Sequence, residues 1–171
     1  MVEPVLAPAP RPLELRLEAR HLSRAMVNAT LAYRLTLTNH GDAALEPLRI
    51  AGDITSAHAS LSAREQLSLD EGALAPLHEV PALTPGETVV LSGELRLPIA
   101  SILPIRSGPS RVFVPLARFR VETGNGILAT HVFVVGQTSE QPGGALRPFA
   151  LDRGPGVERG LGQRELELPV Q

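Results

Sequence analysis

The chain contains no cysteine and no tryptophan, and all of its basic residues are arginine. Without cysteine there is no disulfide, no thiolate zinc site and no cysteine nucleophile. Without lysine there is no Schiff-base amine and no phosphate-loop lysine. Aromatic residues make up only 3% of the sequence, so any core must be aliphatic. No apolar run approaches the ~20 residues that a membrane helix needs. The N-terminus also lacks the charged-then-apolar pattern of a signal segment. A formal net charge of -2 gives no general reason to hold a polyanion, and nucleic acid is not an expected partner.

What is present suits one globular domain. The 171 residues are 43% hydrophobic and 20% charged. Residues 2–12 (VEPVLAPAPRP) are rich in Pro and Ala and read as an extended, semi-rigid spacer. From Leu13 onward the pattern has a period of two. Leu13, Leu15, Leu17 and Ala19 fall on one face, with Glu14, Arg16, Glu18 and Arg20 on the other. Leu31, Tyr33, Leu35 and Leu37 alternate with Arg34, Thr36 and Thr38. Leu48, Ile50 and Ile54 stand against Arg49, Asp53 and Thr55; Val89, Leu91, Leu95 and Leu97 stand against Ser92, Glu94 and Arg96. Side chains on a strand point alternately to its two faces, so one-sided alternation predicts half-buried antiparallel strands.

The segment RVFVPLARFRVETG leads into Asn125-Gly126 and returns as ILATHVFVVG. Asn-Gly tolerates the positive φ of a two-residue hairpin loop. With those two residues as the loop, Thr123 pairs with Leu128, Val121 with Thr130, Phe119 with Val132 and Ala117 with Val134 on the core face. Glu122 with Ala129, Arg120 with His131 and Arg118 with Phe133 then form a wet face. Pro115 predicts a bulge or an edge position, because it has no N–H for the ladder. Ser62-Ala63-Arg64-Glu65 is a capping box and predicts one short helix of roughly two turns. Thr84-Pro85-Gly86-Glu87 suits a type II turn. The expected organisation is a spacer over residues 1–12, a domain over 13–152, and a flexible C-terminal extension over 153–171. About seven short strands with regular turn signals predict an all-β, antiparallel, immunoglobulin-like β-sandwich with one short helix in a connection.

The run YRLTLTNHGDAAL, followed by LTPGETVVLSGEL, resembles prokaryotic immunoglobulin-like repeats of the adhesion and anchoring (CARDB) type. The matching residues are Asn39, Gly41 and Asp42, then Leu83, Pro85, Gly86 and Glu87. By pattern the resemblance covers residues 13–136, although only these two corners are specific. The chain departs from such a repeat in long excursions over 56–81 and 98–110 and in its C-terminal extension. It is similar to uncharacterised bacterial proteins in which a membrane anchor and a Pro-rich spacer precede such a domain. That resemblance implies membrane association through an N-terminal anchor not present in this chain.

Candidate chemistry is sparse. Asn39-His40-Gly41-Asp42 offers oxygens to a cation but lacks the spacing of a calcium loop. A turn, with Asn39 capping its own backbone and Gly41 at positive φ, is the simpler reading. The histidines His21, His40, His58, His78 and His131 show no metal-ligand spacing. No Gly-x-Ser-x-Gly elbow occurs. The glycine-rich run 154–160 follows no strand and opens no helix, so it is not a phosphate loop. No catalytic, cofactor or metal residues are assigned, and the chain is read as non-enzymatic. Ile99, Ile102, Leu103 and Ile105 sit in the Pro-flanked connection 98–106. They are either an exposed contact patch for a protein partner or a cap that closes one end of the domain. The cap is preferred, because soluble monomers seldom expose such patches. The leading expectation is an interaction or structural module acting by surface recognition. The alternative is a small-ligand or metal-binding envelope protein using the 56–81 excursion with His58 and His78.

Overall fold

The structure, a computed structural model, describes residues 12–58, 74–139 and 144–166. It is built from antiparallel strands. Their order is β1 (Leu13–Arg24), β2 (Asn28–Asn39), β3 (Leu48–Ser56), β4 (Ala75–Val80), β5 (Thr88–Pro98), β6 (Ile105–Ser107), β7 (Ser110–Phe113), β8 (Pro115–Thr123), β9 (Gly126–Gln137), β10 (Phe149–Ala150), β11 (Gly156–Glu158) and β12 (Leu161–Leu166). A four-stranded sheet runs β11-β1-β2-β5, a five-stranded sheet runs β12-β9-β8-β3-β4, and a small sheet runs β10-β7-β6.

The alternation in the sequence becomes the core. Leu31, Tyr33, Leu35 and Leu37 of β2 are buried with Leu13, Leu15, Leu17 and Ala19 of β1. From the five-stranded sheet, Leu48, Ile50, Ile54, Ala117, Phe119 and Val121 join the same cluster. The two larger sheets meet where the Tyr33 ring stands edge-on to Phe119, with centroids 5.5 Å apart. Each fully buried Leu or Phe contributes about 1.5–3 kcal/mol through removal from water. Gly93 on β5 makes the room for Tyr33. A Cβ at this position would lie 2.5 Å from the tyrosine oxygen and 2.8 Å from Cζ.

Several expectations need correction. The β8–β9 hairpin turns through Gly124-Asn125, with Thr123 paired to Gly126, rather than through Asn125-Gly126. That change moves the pairing by two residues and leaves the faces intact. A bulge then places Ala129 opposite Val121, and this single-residue step turns every later β9 side chain over. His131 and Phe133 consequently face the core, opposite Phe119 and Ala117. Pro115 lies at neither a bulge nor a sheet edge. It opens β8, a central strand, and Val114 separates β8 from β7, which belongs to the small sheet. A first strand position tolerates proline for the same reason an edge does.

The segment expected to be a flexible extension contributes two edge strands. β11 pairs with the end of β1, and β12 pairs along β9 from Leu161–Gln137 to Leu166–Val132. The backbone ladder, not an apolar stripe, places them. The expected helix at 62–65 lies outside the described residues. Among the described residues there is no α-helix, only a 3₁₀ turn at Ile99–Ser101.

Replacement of Gly93 by Ala is expected to destabilise the fold by about 1–3 kcal/mol through overpacking against Tyr33. In a Tyr33→Phe background the same replacement should cost less, because the closest atom is gone. Urea denaturation of the four proteins of this cycle measures the coupling; equal costs in both backgrounds would contradict the contact.

Candidate functional site

At the polar corner where β2 ends, the Asn39 side chain is fully engaged in holding backbone. Asn39 is completely buried. Its Nδ2 donates to the carbonyls of Ala43 and Leu83, each at 2.9 Å, and its Oδ1 accepts from the Gly41 N–H at 2.9 Å. Its main chain bonds to Glu87 and Gly86. Leu45 and Leu83 exchange reciprocal backbone bonds beside it. The two sequence corners are thus one structural joint. Positive φ falls on Gly86, at 81°, as the type II turn requires, and the Glu87 N–H closes that turn on the Thr84 carbonyl. Gly41, expected at positive φ, is not among the glycines that adopt it. It serves instead by leaving space, because a Cβ there would lie 3.2 Å from Asn39 Oδ1.

The histidines are dispersed. His40 pairs with exposed Glu14, and His131 Nδ1 pairs with Glu165 of β12. His78 Nε2 shares a 2.8 Å hydrogen bond with the Tyr33 hydroxyl, bridging the two larger sheets. Among the described residues, no three His, Cys, Asp or Glu side chains gather as a metal ion would require. His78, one of the pair considered for a metal-binding alternative, has the nitrogen nearest the core occupied by Tyr33. Sequence reasoning missed this bridge because it joins strands 45 positions apart. The only advance signal was an aromatic hydroxyl on a strand face otherwise made of leucine.

Burial sets the chemistry of the bridge. It pushes the Tyr33 phenol up from 10.0 to about 12 and lowers His78 below its usual 6.5. Both shifts favour the neutral forms.

The 98–106 connection is divided in its exposure. The Ile99 N–H donates to the Val27 carbonyl, and the Leu103 N–H donates to the buried Ser56 hydroxyl. Ile102 is in the core, Ile99 packs against it, and Ile105 is half-buried opposite Val112. Leu103 is exposed at 36%. Beside Ile99, the β1–β2 turn exposes Met26 at 89% and Val27 at 69%. These two apolar residues were not singled out from the sequence. Their signal was a hairpin turn with Met-Val where Gly, Asn or Asp is usual.

Two shallow cavities lie elsewhere. One, of about 230 Å³, is bordered by Leu45, Glu46, Thr123 and Ile127. The other, of about 370 Å³, lies at the β6–β7 hairpin between Arg106, Ser110 and Arg111, with Asp152 bonded to Arg111. Among the described residues, no helix is long and apolar enough to cross a membrane.

No family model and no curated protein matches the chain. Among solved structures, it is similar to the ApaA protein from Bordetella pertussis at 15% identity and a TM-score of 0.34, covering 71% of this chain and 94% of that one. It is also similar to a beta-glucosidase from Kluyveromyces marxianus at 14% identity and a TM-score of 0.30, and to beta-glucosidase 3B from Thermotoga neapolitana at 18% identity and 0.26. Those alignments cover 71% and 80% of this chain but only 14% and 17% of the glucosidases. Likenesses this slight carry no activity over to the chain.

Replacement of Asn39 by Ala is expected to cost about 2–4 kcal/mol, since it strands the buried Leu83 carbonyl and the part-buried Ala43 carbonyl and Gly41 N–H. Equilibrium denaturation checks this value. The pH dependence follows from the bridge. Tyr33 has a raised folded pKa, so its contribution is whole below pH 10 and is lost as pH rises towards 12. His78 has a lowered folded pKa, so its contribution is whole above 6.5 and is lost as pH falls through the folded value. The chain has one tyrosine, so ultraviolet titration reads Tyr33 alone. The expected result is ionisation near 12 in the folded protein and near 10 in denaturant. The same midpoint in both would contradict burial of the phenol.

Proposed function

We propose that the chain is an immunoglobulin-like β-sandwich that acts without catalysis, as an interaction or structural module recognising a protein partner through its surface. The observation that carries this reading is the apolar end of the molecule. Met26 and Val27 stand exposed next to Ile99, and Leu103 is exposed beyond it, while Ile102 anchors the segment in the core. A rigid anchor with exposed apolar residues around it is the arrangement of a contact patch. Supporting the reading, Asn39 and His78 are already spent on structural bonds. In this proposal the Pro- and Ala-rich residues 2–12 hold the module away from a membrane tether. Ile99, Ile102, Leu103 and Ile105 divide into support and contact. Ile102 supports, Leu103 contacts, and Ile99 and Ile105 lie between.

The test separates contact from folding. Leu103→Asp and Met26→Asp are expected to keep the melting temperature within a few degrees, because surface substitutions rarely exceed about 0.5 kcal/mol. Both should lose whatever species the immobilised wild-type protein retains from membrane and soluble extracts. Ile102→Asp is expected to unfold the domain by burying a charge. Retention unchanged by Leu103→Asp and Met26→Asp would contradict the patch.

A further inference from the structure

The four-stranded sheet ends on β5, whose outer side meets no strand among the described residues. The groups that line this edge follow from the bonds at the strand's two ends. The Asn39 N–H donates to the Glu87 carbonyl, and the Ile99 N–H donates to the Val27 carbonyl. Between these points β5 pairs with β2 without a break, from Thr88–Thr38 to Pro98–Asn28. Backbone groups alternate sides along a strand, so the odd-numbered residues of β5 bond to β2. The N–H and C=O groups of Thr88, Val90, Ser92, Glu94 and Arg96 therefore point outward. Pro98 falls on the outward parity, where its missing N–H costs no bond to β2.

An outer strand of 11 residues is long. Sheets usually blunt such an edge with a bulge, a short strand or a cover, because it templates further pairing. In β5 the register is unbroken, proline stands only at the far end, and Val90 is 55% exposed. Its sequence is also complementary to itself. When two copies pair antiparallel about Leu95, Glu94 of each stands opposite Arg96 of the other. One two-fold axis thus creates two opposite-charge cross-strand pairs. In the same register Leu95 meets its own counterpart, and Leu97 stands opposite Gly93. A shift of two residues, to an axis at Gly93, would place Glu94 opposite Ser92 and lose both charge pairs. Glu94 and Arg96 make no ion pair within the described chain that would compete.

We propose that the β5 edge is a homodimer interface, in which two copies join their four-stranded sheets into one continuous sheet through the Glu94–Arg96 register. This goes beyond the partner patch at the strand ends and does not depend on it. Sedimentation equilibrium of the full chain is expected to show a concentration-dependent dimer at micromolar protein. Ser92→Pro removes an outward N–H while sparing the β2 ladder, and it should leave a monomer. Glu94→Arg sets arginine against arginine and should weaken dimerisation about tenfold or more. The double variant Glu94→Arg with Arg96→Glu restores both pairs and should recover the wild-type affinity. If Ser92→Pro fails to fold, the charge series alone decides. A monomeric wild type, a dimer indifferent to Glu94→Arg, or a double variant no tighter than Glu94→Arg would each overturn the proposal.

Discussion

The buried side chain of Asn39 is the interaction on which the rest of the architecture depends. One amide supplies two donors and an acceptor to three backbone groups, two in the loop after β2 and one in the connection before β5. No other residue type of similar size does all three. Aspartate would bring no donors for the Ala43 and Leu83 carbonyls and would bury a charge. Leucine would fill the space and leave each backbone group unpaired. Through this joint the exit of β2, the turn into β5 and the loop towards β3 become one unit. The exit of β2 is also bonded to the chain ahead of β1, since the His40 N–H donates to the Pro12 carbonyl.

Much of this was readable because strand periodicity is a local property. The leucine stripes of β1 and β2, the Leu48–Ile50–Ile54 face of β3, and the type II turn at Pro85-Gly86 needed only neighbours in sequence. The β8 face was also readable, since Ala117, Phe119 and Val121 alternate cleanly. Its partner was not. A one-residue bulge after the hairpin is set by how Leu128 and Ala129 settle against β8, and no composition signal marks it. That bulge moves His131 from an expected wet face into the core. β11 and β12 were unreadable for a different reason. Edge strands bonded on one side need little apolar content, so glycine, arginine and glutamate concealed them. The Tyr33–His78 bridge depends on how two sheets stack, which periodicity does not encode.

The candidate site followed the same division. The sequence isolated the 98–106 connection as anomalous, because isoleucines between prolines fit no regular strand. It favoured a cap over an exposed patch, and the structure divides the segment between buried and exposed residues. Ile102 points into the core, while Leu103 stays exposed. Met26 and Val27 lie at one end of β2 and the Asn39 joint occupies the other, while Val90 and Ile127 are exposed elsewhere. At about 3.3 Å per residue, these ends are roughly 36 Å apart. In the proposed function, a joint at one end and exposed apolar groups towards the other would suit a module that is held at one end and presents the other.

The claim at the centre of this account is that the polar corner is a structural joint and not a ligand site. Native-state hydrogen exchange tests it most directly. If the joint holds the fold together, the amides of Asn39, Leu45, Leu83 and Gly86 exchange only through global unfolding, with the same free energy as the β2 core amides of Leu35 and Leu37. Exchange of those four amides at the rate of an open loop, with the β2 core still protected, would contradict it.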